Sequence, residues 1–368
     1  MRGDAVEGRR RSHSARVLID AAVLISVGAI GCTNPSASGP LPRSYRLGFS
    51  ATPPRLEIAS VLRTIDEWTK HGDAALLPLQ PPWRSLLADT NAAFLVRREH
   101  AELVALYRNK GLPVIAMIDA TDGLAREKEA PELVALGRSI REPAVQARYR
   151  EYVLAVDSIL HPEYLALAME TNLIRLAAPS DVYAALRTMA TAAAQALRAQ
   201  GSATKLYVSV QVETAWGRLP RTNSYAGIAA DLHDFPFGQA LGLSSYPFLG
   251  GFAEPEEVPI DYYERLATES KLPVMVVEGG WSSGTVEGVI SAPERQARWI
   301  RRQIELADRA RAAAIFQITF TDLDLSTYPV PSGSILPLFA QLGLVDATFQ
   351  PKPALAEWDR ALARPLRP

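Results

Sequence analysis

Eight short apolar runs recur along the chain, and longer segments of a different period separate them. The runs are YRLGFS (45–50), AALLPL (74–79), PVIAMI (113–118), YLALAM (164–169), KLYVSVQ (205–211), LGLSSY (241–246), PVMVVE (273–278) and AIFQITF (314–320). Most are apolar at consecutive rather than alternate positions, the mark of strands covered on both faces. Segments 58–70, 99–110, 143–160, 180–199 and 292–309 carry apolar residues at three- and four-residue spacing, which predicts helices with one buried stripe. Ser180 stands where a helix N-cap is expected, and Gly201 lies just past that helix. Ser291-Ala292-Pro293-Glu294 has the form of a capping box with proline in the first turn. Strands separated by helices pair in parallel through crossovers. Eight such units predict an α/β fold, a closed (β/α)8 TIM barrel forming a single domain over 43–365. A doubly wound open sheet is the alternative, but no Gly-x-Gly-x-x-Gly turn follows the first strand.

Upstream of 43 the pattern changes. Arg9-Arg10-Arg11 and Arg16 precede a short apolar stretch, 21–30, too brief for a comfortable membrane span. This is the layout of a secretory signal peptide. Ala29 and Gly31 ahead of the single cysteine, Cys32, resemble the lipobox of bacterial lipoproteins. That resemblance implies a signal peptide over 1–31, lipidation of Cys32 and residence in the bacterial cell envelope, exported and lipid-anchored. A plain cleaved signal, or a buried helix whose cysteine is incidental, is the alternative. Residues 32–42, rich in Ser and Pro, read as a tether.

Composition mainly excludes. Lys and Arg number 39 against 40 Asp and Glu, so the chain has no basic footprint for nucleic acid. One cysteine provides no disulfide framework. The five histidines are scattered, so neither a metal site nor a cofactor is expected.

In a barrel of this kind the chemistry sits at the C-terminal ends of the strands. Strand four ends in Glu170, with Asn172 beyond it, and strand seven ends in Glu278, followed by Gly279, Gly280 and Trp281. Those two strand ends face one another across the mouth of a closed barrel. A carboxylate pair about 5–5.5 Å apart is what a retaining glycosidase uses, one group as acid and the other as nucleophile. Trp83, Trp216, Trp281 and Tyr246 offer flat apolar faces for sugar rings, and the two glycines leave room for a ring beside the carboxylate. Each feature also has a plainer reading. A strand-end glutamate is often solvated or paired with arginine, and tryptophans often anchor cores. Glu213 and the Asp322/Asp324 pair read as loop or support residues.

Three stretches, LALAMETNLI, LGLSSYPFLG and PVMVVEGGWSS, resemble the strand-four, strand-six and strand-seven motifs of clan A glycoside hydrolases. The family 53 endo-β-1,4-galactanase type is the most similar. The resemblance implies Glu170 as general acid/base, Glu278 as nucleophile and Tyr246 beside the nucleophile. It also implies a carbohydrate partner and the cleavage of O-glycosidic bonds in an oligo- or polysaccharide with retention. The chain departs from the family pattern at several points. Met169 replaces the asparagine before the acid/base, and no arginine ends strand two unless Arg84 reaches back. The histidines after strands three and five are missing, leaving Asn172, Gln211 or Gln317 as substitutes. A catalytically degenerate, glycan-binding barrel lipoprotein is therefore the alternative function.

Overall fold

The computed structural model describes residues 41–367 apart from 220, 221 and 223. The expected signal peptide, Cys32 and most of the tether lie outside the described residues. Eight parallel strands close into one barrel in chain order. They are β1 (Arg46–Phe49), β2 (Ala74–Leu79), β3 (Val114–Ile118), β4 (Tyr164–Ala166), β5 (Lys205–Gln211), β6 (Ala240–Ser245), β7 (Val274–Gly279) and β8 (Ala314–Gln317). The ring shuts where β1 pairs with β8, from Arg46 opposite Ala314 to Phe49 opposite Gln317. The expected (β/α)8 TIM barrel is the observed fold.

The consecutive apolar runs are explained by two layers of packing. Leu76, Ile115, Met117, Tyr207, Met275 and Phe316 belong to a layer that fills the barrel interior. Their strand neighbours Leu77, Val114, Val208, Val276 and Ile315 belong to the outer layer, shared with helix residues such as Trp68, Val153 and Trp299. Apart from Pro78 and Lys205 no strand residue is exposed, and alternation disappears from the sequence. β1 comes so close to β2 and to the interior that one position excludes any side chain. A Cβ on Gly48 would lie 2.0 Å from the Ala74 carbonyl oxygen and 2.8 Å from the Phe316 ring.

Several local expectations are corrected. β4 stops at Ala166 rather than 169, and β8 at Gln317 rather than 320. After Ala166 the chain keeps only single bonds to β5, Leu167 N–H to the Tyr207 carbonyl and Ser209 N–H to the Ala168 carbonyl, both 3.1 Å. The helical stretch expected from 99 begins at Ala92, because the Asn91 side chain accepts the Phe94 N–H at 3.0 Å and caps it there. Ser180 caps nothing; it is the first helical residue after Pro179. The Ser291 hydroxyl is likewise diverted, donating to the Ser282 carbonyl at 2.6 Å. Helix Pro293–Ala310 therefore starts without a side-chain cap. Gly201 does end its helix, with φ of 74° in the left-handed region. No helix among the described residues is long and apolar enough to cross a membrane.

Candidate active site

Glu170 sits where β4 gives way to helix Thr171–Ala177. Its backbone is left-handed, φ 46° and ψ 47°, a conformation that costs a non-glycine residue about 1–2 kcal/mol. Its N–H donates to the Ser209 hydroxyl at 2.8 Å, and its carbonyl accepts the Ile174 N–H at 3.0 Å. The bend turns the carboxyl into the barrel mouth. There Oε1 accepts the Ser244 hydroxyl at 2.6 Å and Oε2 accepts the Arg126 Nε–H at 2.7 Å.

Arg126 comes from the loop after β3 and is buried. Its Nη1 donates to Asp119 Oδ2 at 2.6 Å and to Thr121 Oγ1 at 3.2 Å. Burial opposes its charge, but the carboxylates of Asp119, Glu170 and Glu278 outweigh that and push its pKa up. The sequence reading missed this residue. The available signal was indirect: carboxylates buried at strand ends need a cation, and the loop after β3 holds basic residues close to them in the chain.

Glu278 reaches the mouth through an irregularity in β7. Leu243 of β6 pairs with Val276, but the next residue, Ser244, pairs with Glu278 and skips Val277. Met275 and Val277 already face the interior, so strict alternation would turn Glu278 outward. The bulge turns it back in. Its Oε1 accepts the Tyr246 hydroxyl at 2.9 Å. Burial and the negative charge of Glu170 push its pKa up to about 8, against the opposing pull of Arg126 and of the Tyr246 hydrogen bond.

Ser244, near the end of β6, and Tyr246, the residue after the strand, thus each hold one of the two glutamates. A cavity of about 340 Å³ adjoins them, its wall including Met117, Asp119, Arg126, Met169 and Glu278. Gln80, Asp119, Gly123 and Leu124 also line a larger groove of about 720 Å³ that runs between the loops after β2 and β3 and segment 329–335.

The other expected site residues do different work. Trp281 is only 1% exposed, tilted against Trp299 and Phe248, with its indole N–H on Ser291 Oγ at 3.2 Å; it has no open face for a sugar. Trp83 is buried beside Tyr149. Trp216 is packed between Tyr262 and Tyr225 and donates to the Tyr262 carbonyl at 3.1 Å. Asn172 ties β4 to β5, donating to the Gln211 carbonyl and accepting the Gln211 N–H, both 2.8 Å. The Gln211 side chain accepts the Thr214 N–H and donates to Glu213. Gln317 donates to Gln303 at 2.6 Å, and Arg84 lies outside the cavity, 3.9 Å from Glu132. Asp322 pairs with Lys352 and Asp324 with Arg55. The glycines make room for protein: a Cβ on Gly279 would lie 2.7 Å from the Ser245 carbonyl oxygen, and one on Gly280 3.2 Å from Gln317. Among the described residues no cluster of His, Cys, Asp and Glu could hold a metal ion.

No protein-family model matches the sequence, and no curated protein matches it. Solved structures do match its fold. An exo-β-1,4-mannosidase from Opitutaceae bacterium strain TAV5 superposes with a TM-score of 0.65 at 15% identity, covering 87% of this chain and 60% of its own. A GH5_18 protein from Streptomyces cattleya, in complex with GlcNAc, gives 0.60 at 17% identity, covering 89% and 83%. Fungal β-1,4-galactanases give 0.53 at 13% identity, covering 86% and 94%. These are clan A glycoside hydrolases. At such identities the likeness concerns the fold, and the chain spans 60% of the length of that mannosidase.

Proposed function

We propose that this barrel is a retaining glycoside hydrolase acting on O-glycosidic bonds of an oligo- or polysaccharide. One observation carries the reading. Two carboxyls, delivered by β4 and β7, share one buried mouth, and the affinity of Glu278 for a proton is raised by the charge of Glu170. At neutral pH such a pair holds one proton and one charge, which is what double displacement requires. The fold of the matched hydrolases and the strand-end motifs support the same assignment.

Arg126 pairs with Glu170 at 2.7 Å, while burial and that neighbouring carboxylate favour the proton on Glu278. The mechanism needs the reverse. Turnover therefore requires the proton to pass from Glu278 to Glu170 within the pair once substrate is bound. Glu278 then attacks the anomeric carbon while Glu170 protonates the departing oxygen. In the second step Glu170 takes a proton from water, the water oxygen bonds to the anomeric carbon, and Glu278 leaves as carboxylate. Tyr246 steadies the ionised Glu278 in both steps. On the lipobox resemblance we place the protein in the cell envelope, anchored through Cys32; membrane fractionation of a Cys32→Ser variant tests this.

The test of function is a screen of aryl glycosides and polysaccharides with Glu170→Ala and Glu278→Ala as comparisons. Azide added to Glu170→Ala is expected to yield a glycosyl azide of retained configuration, and added to Glu278→Ala one of inverted configuration. Interchanged products would exchange the two roles. Met169 in the cavity wall and Arg126 on Glu170 favour a second reading, a non-catalytic glycan-binding barrel. Glycan binding by the unaltered protein without any turnover would establish it.

A further inference from the structure

Behind the mouth lies a fully buried carboxyl that the reaction above does not use. Glu213 lies in the short helix Val212–Ala215 directly after β5 and is 0% exposed. Its Oε1 accepts the Tyr262 hydroxyl at 3.0 Å and the Ser245 hydroxyl at 3.3 Å; its Oε2 accepts the Gln211 side-chain amide. The Tyr246 backbone N–H also hydrogen-bonds to it. Gly250 gives it space, since a Cβ there would lie 2.8 Å from Glu213 Cγ.

These contacts converge on one tripeptide. Ser244 and Tyr246 point into the mouth and hold Glu170 and Glu278. Ser245, between them, points the other way, to Glu213 and to the Tyr263 hydroxyl at 3.1 Å. Glu213 therefore grips the back of the segment whose front supports both reacting carboxyls. Among the described residues its bonding partners are all neutral donors, an arrangement suited to a carboxylate acceptor rather than to an ion pair.

We propose that Glu213 is a positioning residue for the candidate reaction, fixing Ser244-Ser245-Tyr246 so that Tyr246 donates to Glu278 and Ser244 to Glu170. This rests on the hydrolase reading for its kinetic consequence but not for its structural one. Burial, opposed by the Tyr246 N–H and by the Tyr262 and Ser245 hydroxyls, pushes the Glu213 pKa up to about 7. Tyr262 and Tyr263, packed against it, are themselves pushed well up and stay neutral, and the nearby cation, Arg218, bonds the Glu213 carbonyl through its backbone N–H at 2.7 Å while its guanidinium lies over the Phe252 ring. Glu213 thus changes charge within the neutral range, and the grip changes with it.

The experiment follows the protonation midpoint of Glu278 by carboxyl ¹³C NMR in the full chain, unaltered and as Glu213→Gln. Positioning predicts that the midpoint rises by about half a pH unit or more, because a slackened Tyr246 no longer favours the charged form. A field effect predicts a fall, since a like charge has been removed. A fall, or no change in a folded variant, overturns the proposal. Ser245→Ala cuts the same link while keeping Glu213, and it provides the test if the first variant does not fold. The same rise is expected, and an unchanged midpoint would overturn the proposal. If the protein turns over a glycoside, kcat should fall on the order of tenfold with KM little changed. If it turns over none, the hydrolase reading fails while the NMR result still decides the role of Glu213.

Discussion

Arg126 decides the electrostatics of the mouth from a position the sequence does not advertise. It lies in the loop after β3, in no motif, and only the folded barrel brings it between Asp119 and Glu170. The two glutamates were legible because each ends an apolar strand and because counting strands puts those ends on opposite sides of one ring. The arginine was not, because its role depends on a loop path that no local pattern encodes. Its removal has two separable consequences. Arg126→Met leaves Glu170 buried, and Asp119 half-buried, without their cation, which costs about 3 kcal/mol of stability at neutral pH, to be read by urea denaturation. It also removes a positive charge that favours ionised Glu278, so the Glu278 midpoint should rise above about 8. A midpoint that stays or falls would show that Arg126 does not favour ionised Glu278.

At the scale of the element, the strands carry their information unevenly. Periodicity located all eight, since a dry barrel strand is apolar throughout, but it could not show how they end. The β7 bulge at Val277 and the left-handed Glu170 are both departures from regular geometry, and both aim carboxyls inward. Departures of this kind depend on the neighbouring strand and leave no trace in one strand's own pattern. The glycines after Glu278 and the indole of Trp281 mislead for a related reason. They look like space and a platform, yet the space is filled by the Ser245 backbone and the ring by Trp299 and Phe248. A glycine inside a strand is a safer signal of close packing, and Gly48 tests this. In Gly48→Ala the new methyl group meets the fixed Ala74 carbonyl, so β1 must move away from β2 or from Phe316. A loss of about 3 kcal/mol is expected from such overpacking, measured as a lower urea midpoint with an unchanged m-value. A loss under about 1 kcal/mol would mean that the strand pair yields easily.

For the whole molecule, barrel closure gathers Asp119, Glu170 and Glu278 around one guanidinium, and this shapes stability against pH. In the unfolded chain Glu278 titrates near 4.5, in the folded protein near 8. The folded state therefore binds the extra proton between those values, and stability falls as pH rises through that window. At about 1.4 kcal/mol per pH unit the ceiling of the effect is roughly 4–5 kcal/mol, and relaxation around the charged group reduces it. Glu213, raised to about 7, acts in the same direction. The lowered carboxyls, such as Asp234 and Asp346, act in the opposite direction and only at lower pH, where their stabilisation is lost as pH falls. Stability should consequently peak near the acid edge of the neutral range rather than stay level to pH 8. Glu278→Gln keeps the shape of the neutral acid and cannot ionise, so it should abolish the part of the decline that Glu278 causes. We expect its Tm to exceed that of the unaltered protein at pH 8 by roughly 5 °C, a gain of about 2–3 kcal/mol, and to differ little at pH 5. Scanning calorimetry of both proteins at the two pH values checks this. Equal Tm values at pH 8 would mean that Glu278 ionises in the fold as readily as in water, and the one-proton carboxyl pair on which the hydrolase reading rests would be lost.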